Sequence, residues 1–235
     1  MIVLHHSPAS SHSASVRIVL GEKGLDFTSH EVDLAAFGQH TAEFLAVNPA
    51  GMVPVLEDGG HRLTEAFLIM LYLEERYPHP PLGGENPQTR YAVQKWGKHV
   101  ETHIAAHLAV VRWAASRRAL DRDFTTLPAE RAALWRKAAS GFHEEEVSAS
   151  REALRRAAVR LALDLEAGPW LAGSRFTLAD AAVFPHARQF STLGISVSPQ
   201  VEAWLARVEA RPSVRCLGEM RELVPTMGPE RSRWG

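Results

Sequence analysis

The segment Asn48-Pro-Ala-Gly-Met-Val-Pro-Val-Leu56, followed after a short loop by Leu63-Thr64-Glu65-Ala66, constrains the fold more than any other part of this 235-residue chain. It reads as a turn, a strand opened by a proline, a second strand, and a helix opening on an acid. Proline cannot donate to a sheet ladder, so Pro54 belongs at the first residue of a strand or on an edge. A cis bond before Pro54 would turn the chain sharply and leave the main chain of Val53 open to a ligand. Gly59-Gly60 supplies the hairpin turn between the two strands. At the following helix start, backbone N–H groups attract a carboxylate, while the Glu65 side chain attracts an ammonium. A ligand with an α-amino-acid end and a peptide backbone would satisfy both places.

The rest of the chain sorts around that segment. Residues 2–5 are a short β-rich run, and 7–13 form a polar turn cluster. Residues 16–23 have apolar residues at helical spacing and stop at Gly24, a C-cap candidate. Residues 28–34 alternate as a strand, so a βαβ unit is expected early. Residues 65–76 predict a helix with Phe67, Leu68, Leu71 and Tyr72 on one face. The breaker-rich run Tyr77-Pro-His-Pro-Pro-Leu-Gly-Gly84 divides the chain. It separates an α/β domain over 1–77 from a helical domain over 88–235, with 78–87 as linker. In the second part, 89–120 and 128–166 are Ala-rich, charged and helical in period. Thr177 with Asp180 three residues on reads as a capping box, a folding signal rather than a catalytic one. Residues 199–211 predict a further helix and 214–223 a last one, with a surface tail from 225.

Composition sets the outer bounds. A formal net charge of −1 gives no basic excess of the kind a nucleic-acid surface needs. The single cysteine, Cys216, excludes an intramolecular disulfide and agrees with a reducing compartment. The N-terminus lacks the charged and apolar regions of a signal peptide, and no apolar run is long enough to span a bilayer. The expectation is a cytoplasmic protein with neither nucleic-acid nor membrane partners.

In this order and at these spacings, the chain resembles the glutathione transferase superfamily along nearly its whole length. Ile2-Val-Leu-His-His-Ser-Pro8 is similar to the first strand and loop of the thioredoxin-like half. Val16-Arg-Ile-Val-Leu-Gly-Glu-Lys-Gly24 resembles its first helix. Val53-Pro54 and Thr64-Glu65-Ala66 match the glutathione motifs, and Gly168-Pro-Trp-Leu-Ala-Gly-Ser-Arg-Phe-Thr-Leu-Ala-Asp180 matches the signature of the second domain. The resemblance implies a thioredoxin-like α/β domain followed by an all-α domain. It also implies glutathione as co-substrate, a hydrophobic electrophile as second substrate, and a homodimer. It is loosely similar to etherase and dehalogenase branches.

The loop after the first strand presents Ser10-Ser11-His12-Ser13 where thiol-redox members carry Cys-x-x-Cys. A hydroxyl cannot form a mixed disulfide, so exchange chemistry from this loop is excluded. A hydroxyl can donate to a thiolate and, with the helix end, lower the thiol pKa. The resemblance points to Ser10, six residues before Val16-Arg17. Ser11 fits a neighbouring register, and Ser13 is a third choice. Val53 would pair its main chain with the cysteinyl part, and Glu65 would bind the γ-glutamyl ammonium. Ala66 stands where most of the family has a serine, so one hydroxyl contact to the γ-glutamyl carboxylate is absent. Gln39 and His40 are candidates for the glycine carboxylate. The three loop-proximal histidines His5, His6 and His12 are weaker candidates for a base.

His99, His103 and His107 recur every four residues and share a helix face. Successive turns hold the first and third about 12 Å apart, too far for one metal, so no metal is expected. The first long helix of the second domain lines the electrophile pocket in this family, which makes His103, His107 and Trp113 candidates for second-substrate contacts. The rival reading is a scaffold or ligand-binding protein of the same fold, and Ala66 is the feature that favours it.

Overall fold

In the computed structural model, residues 1–116, 124, 125, 127, 129–215 and 217 are described. Strand β1 (Ile2–His6) alternates buried and half-buried positions. It leads into helix α1 (Ser11–Glu22), which ends at Gly24 with φ 62°. There the Leu25 N–H reaches back to the Leu20 carbonyl, the bond pattern of a left-handed helix stop. β2 (Phe27–Glu31) returns parallel to β1, which completes the predicted βαβ unit. A short turn and helix α2 (Ala42–Val47) precede β3 (Val55–Asp58) and β4 (His61–Leu63). Gly59 and Gly60, both at positive φ, make the turn between them. The sheet order is β2-β1-β3-β4, with β3 antiparallel to both neighbours.

Alternation along β3 builds two layers. Leu56 points into the main core with Leu4 and Ile18, whereas Val55 points to the other face with Val32 and Phe44 of α2. Helix α3 (Ala66–Arg76) buries Ala66, Ile69, Met70 and Leu73. This corrects the expected face. The i, i+3, i+4, i+7 set begins at Ala66, one residue earlier than Phe67, and Leu68 is left 59% exposed.

The second domain is helical: α4 (Pro87–His99), α5 (Ala105–Ser116), α6 (Ala129–Ser140), α7 (Glu144–Asp164), α8 (Leu178–Ala187), α9 (Pro199–Glu209) and the short α10 (Pro212–Arg215). A π-helical turn over Val100–Ile104 joins α4 to α5. The capping box at α8 forms as expected. Asp180 is fully buried and accepts from the Leu171 N–H (3.0 Å), the Thr177 N–H (2.9 Å) and Trp204 Nε1 (2.8 Å).

The linker is tied down on both sides. Lys23 Nζ, with its side chain fully buried, donates to Glu74 (2.7 Å) and to the Tyr77 (2.7 Å) and Pro80 (3.0 Å) carbonyls. Glu74 in turn accepts from the Leu82 and Gly83 N–H groups, and the Leu82 carbonyl accepts from Leu178 at the head of α8. One core then runs from Leu4 and Val16 through Trp96 and Leu154 to Phe184 and Trp204. Cys216 and the tail from 225 lie outside the described residues, as does the predicted last helix beyond its opening turn.

Candidate active site

Strand register gathers the sequence-predicted residues at one end of the sheet. His5, near the C-terminal end of β1, pairs with Val55 at the start of β3, and Leu63 at the end of β4 pairs with Leu56. The loop from Ser7 to Ser10, the Val53-Pro54 entry and the head of α3 therefore lie at the same edge. The Val53-Pro54 bond is cis. Asn48, 5% exposed, fixes the preceding turn by donating to the Met52 carbonyl (2.8 Å) and accepting from the Ala50 N–H (3.0 Å). Glu65 stands exposed at φ 65°, ψ 104°, a conformation that costs a non-glycine residue about 1–3 kcal/mol. Ala66 behind it is buried and starts the helix.

The serine loop divides its hydroxyls between different tasks. Ser10 is the N-cap of α1, and its Oγ accepts from the Ser13 N–H at 3.2 Å. Its own proton has no acceptor among the described residues. Ser11 Oγ donates to the Pro185 carbonyl (3.2 Å) and accepts from Gln189 Nε2 (2.9 Å), so it latches α1 to α8. Ser13 Oγ accepts from the Ser7 N–H at 3.3 Å and is fully buried.

Ser10 and Ser11 border a cavity of about 160 Å³. Its other walls are the apolar Leu34, Ala105, Leu108 and Ala109 and the polar His12, Arg112 and His186. Burial holds the His12 and His186 imidazoles below their ordinary pKa, and for His186 neighbouring His12 and Arg112 add to the effect. Both rings are therefore neutral at physiological pH; they meet edge to face with centroids 4.8 Å apart. His5 and His6 point elsewhere. His6 Nε2 contacts Ser29 Oγ at 2.7 Å, while His5 packs on His30 and Phe44.

The second-domain candidates fall on other faces. The cavity wall from α5 is Ala105, Leu108, Ala109 and Arg112. His107 instead faces α7, with Nδ1 3.2 Å from Ser150 Oγ. His103 stacks on His99 with centroids 4.5 Å apart, and Trp113 meets Trp135 edge to face. Four-residue spacing placed the histidines on one stripe, but the stripe is turned from the cavity.

Helix α6 folds down over the first domain, which the sequence reading missed because amphipathic period carries no information on docking partner. Its Trp135 packs on Phe37 (4.5 Å) and donates Nε1–H to His40 Nε2 at 2.9 Å, and Arg131 donates to the Ala50 carbonyl. With Nε2 accepting, neutral His40 carries its proton on Nδ1, which has no partner among the described residues. Gln39 is 5% exposed, and its Oε1 is likewise unpaired. Among the described residues no cluster of metal-ligating side chains occurs, and no helix is long and apolar enough to cross a membrane.

Comparison with known proteins fits this geometry. The model of the glutathione S-transferase N-terminal domain matches residues 4–81, and that of the C-terminal domain matches 114–212. Protein LigF of Sphingobium sp. (strain NBRC 103272 / SYK-6) is 29% identical over 218 residues, covering 83% of this chain and 84% of that protein. The crystal structure of β-etherase LigF superposes with a TM-score of 0.85 at 27% identity, over 92% of this chain and 98% of that one. FtsZ-localized protein A of Caulobacter vibrioides is 27% identical over 223 residues, covering 90% and 88%. Human glutathione transferase theta-2, solved with glutathione, superposes with a TM-score of 0.74 at 26% identity, over 89% and 82%. A thioredoxin-like sheet domain joined to a helical domain, both matched by the family's own models, makes this chain a member of the glutathione S-transferase superfamily.

Proposed function

We propose that this protein is a serine-type glutathione transferase in which Ser10 stabilises the glutathione thiolate. One observation carries the choice of Ser10. Its hydroxyl proton is uncommitted among the described residues, whereas Ser11 donates its own to Pro185. A thiolate at the α1 N-terminus would receive that proton as a charge-assisted hydrogen bond and gain from the helix dipole. Val53 would hold the cysteinyl main chain, with Pro54 fixing its direction, and Glu65 would hold the γ-glutamyl ammonium. The Ala66 N–H would meet the γ-glutamyl carboxylate without a hydroxyl's help. Gln39 and the His40 Nδ1–H would serve the glycine end.

The reaction is nucleophilic substitution. The thiolate sulfur attacks an electrophilic carbon, a C–S bond forms, and the bond to a halide or ether oxygen breaks with its electron pair leaving on that atom. The β-etherase name of one relative makes aryl ethers the first class to try. We place the activity in the cytoplasm and in a homodimer, as the family resemblance implies. Turnover of glutathione with aryl-ether and aryl-halide electrophiles tests the reading. Ser10→Ala should lower kcat/KM by about tenfold or more; an unchanged rate would remove Ser10 from the mechanism.

A second reading has one observation behind it. A relative of comparable identity and coverage is named for localisation with FtsZ rather than for transfer chemistry. Ala66 fits that scaffold reading, and failure of glutathione to bind would favour it.

A further inference from the structure

Helix α6 makes contacts that the proposed mechanism leaves unused. Its Trp135 reaches across to the first domain and donates Nε1–H to His40 Nε2 at 2.9 Å. An indole N–H only donates, so Nε2 is the acceptor and the imidazole is held as its neutral Nδ1–H form. Burial and then the Arg131 charge favour that neutral ring. Two further rings hold the indole. It lies on Phe37 with centroids 4.5 Å apart, and Trp113 of α5 meets it edge to face at 5.5 Å.

These contacts converge on one small piece of backbone. Phe37, at φ 62°, opens the 3₁₀ turn Gly38–His40, in a left-handed conformation that a residue with a Cβ rarely adopts. Such an outlier persists where its surroundings over-determine it, and here the covering ring is Trp135. The turn rests on Gly51, where a Cβ would stand 3.0 Å from His40 Nδ1 and 3.1 Å from the Gln39 carbonyl. Arg131 donates to the neighbouring Ala50 carbonyl. Helix α6 therefore pins the 38–40 turn onto the 50–51 backbone. The approach to Val53 has a separate brace, because Asn48 bonds the Met52 carbonyl and the Ala50 N–H within the first domain.

We infer that Trp135 is a positioning residue for the glycine end of glutathione. Acting through His40, it sets where the Gln39–His40 turn stands, while Val53 keeps its place without it. The inference rests on the glutathione reading of this site, which gives the glycine end to Gln39 and His40. No ligand contact is asked of Trp135 itself. Loss of its indole N–H removes one hydrogen bond behind the turn, which should weaken a ligand that uses the turn by about 2- to 13-fold.

Glutathione and γ-glutamylcysteine, which lacks the glycine, are each titrated calorimetrically into the full chain and into Trp135→Phe, which keeps a ring against Phe37. The variant should bind glutathione more weakly by the stated factor and γ-glutamylcysteine as well as wild type does. A merely structural role would weaken both alike or neither, and either result would overturn the inference. In wild-type protein labelled with ¹⁵N-histidine and ¹⁵N-tryptophan, His40 should show the Nδ1–H tautomer. Glutathione should shift the His40 ring and Trp135 indole resonances, and γ-glutamylcysteine should not. A His40 ring protonated on Nε2, or resonances that respond to both ligands or to neither, would overturn the inference even if the variant fails to fold. Glutathione binding without a selective loss in Trp135→Phe defeats this inference alone, whereas wild-type protein that binds neither ligand defeats the transferase reading and this inference with it.

Discussion

Replacing Ser10 by glycine separates two tasks of one hydroxyl. As N-cap, Ser10 Oγ accepts the Ser13 N–H at 3.2 Å. Alanine at such a position costs about 1 kcal/mol, but glycine only a few tenths. As thiolate donor, the hydroxyl contributes a hydrogen bond to a charged group, about 1.5–3 kcal/mol. At 1.36 kcal/mol per pKa unit, that is roughly one to two units on the bound thiol. The helix end adds about 0.3–1 kcal/mol, and it remains in the variant. From a free thiol near 8.5, the wild-type complex should therefore titrate at about 6 to 7 and Ser10→Gly at about 8. The ultraviolet absorbance of the thiolate, followed against pH at saturating glutathione, reads this directly. Ser11→Ala should leave the thiol pKa in place and lower stability by about 1 kcal/mol through loss of the bond to the Pro185 carbonyl. The reasoning fails if Ser10→Gly titrates within about 0.3 unit of wild type, or if Ser11→Ala produces the shift.

Further consequences reach the fold. Burial, then the Arg17 and His5 charges, push His6 down to about 4. The folded state therefore resists a proton that the unfolded chain takes up near 6.5, so stability present above that value is lost as pH falls toward 4. His6 alone should account for about 3 kcal/mol across that window, and His6→Gln should flatten the pH dependence of urea unfolding by up to about 1.4 kcal/mol per pH unit. Glu65→Gly should relieve the positive-φ conformation, raise stability by about 1 kcal/mol in thermal unfolding and weaken glutathione binding at least about tenfold. Asp180→Ala orphans the buried Leu171, Thr177 and Trp204 donors and should cost about 3–6 kcal/mol by denaturant titration.

What could be read from the sequence was local in cause. The Thr177–Asp180 box, the glycine stop after α1 and the Gly59-Gly60 turn depend on residues within a few positions of one another, and each formed. The Val53-Pro54 entry and the head of α3 were legible because a proline and an acid each tolerate few surroundings. The errors arose where packing chooses between neighbouring residues. The buried face of α3 begins at Ala66 rather than Phe67, because a stripe that includes alanine fills the space above the sheet. His99, His103 and His107 run from α4 through the π-helical turn into α5, while the cavity wall is the Ala105, Leu108, Arg112 face. His186 gave no signal at all. It is one histidine in an apolar helix, and only the docking of α8 beside α1 sets its ring edge to face against His12. The Trp135–His40 contact is equally invisible, since it joins residues 95 positions apart.

Calorimetric titration of glutathione into the wild-type protein, repeated with Glu65→Ala, tests the central claim most directly. The account predicts saturable binding at one site per chain, with a Kd from micromolar to about 1 mM, and at least about tenfold weakening in the variant. Wild-type protein that evolves no binding heat over that range, or a variant that binds as well as wild type, would contradict it.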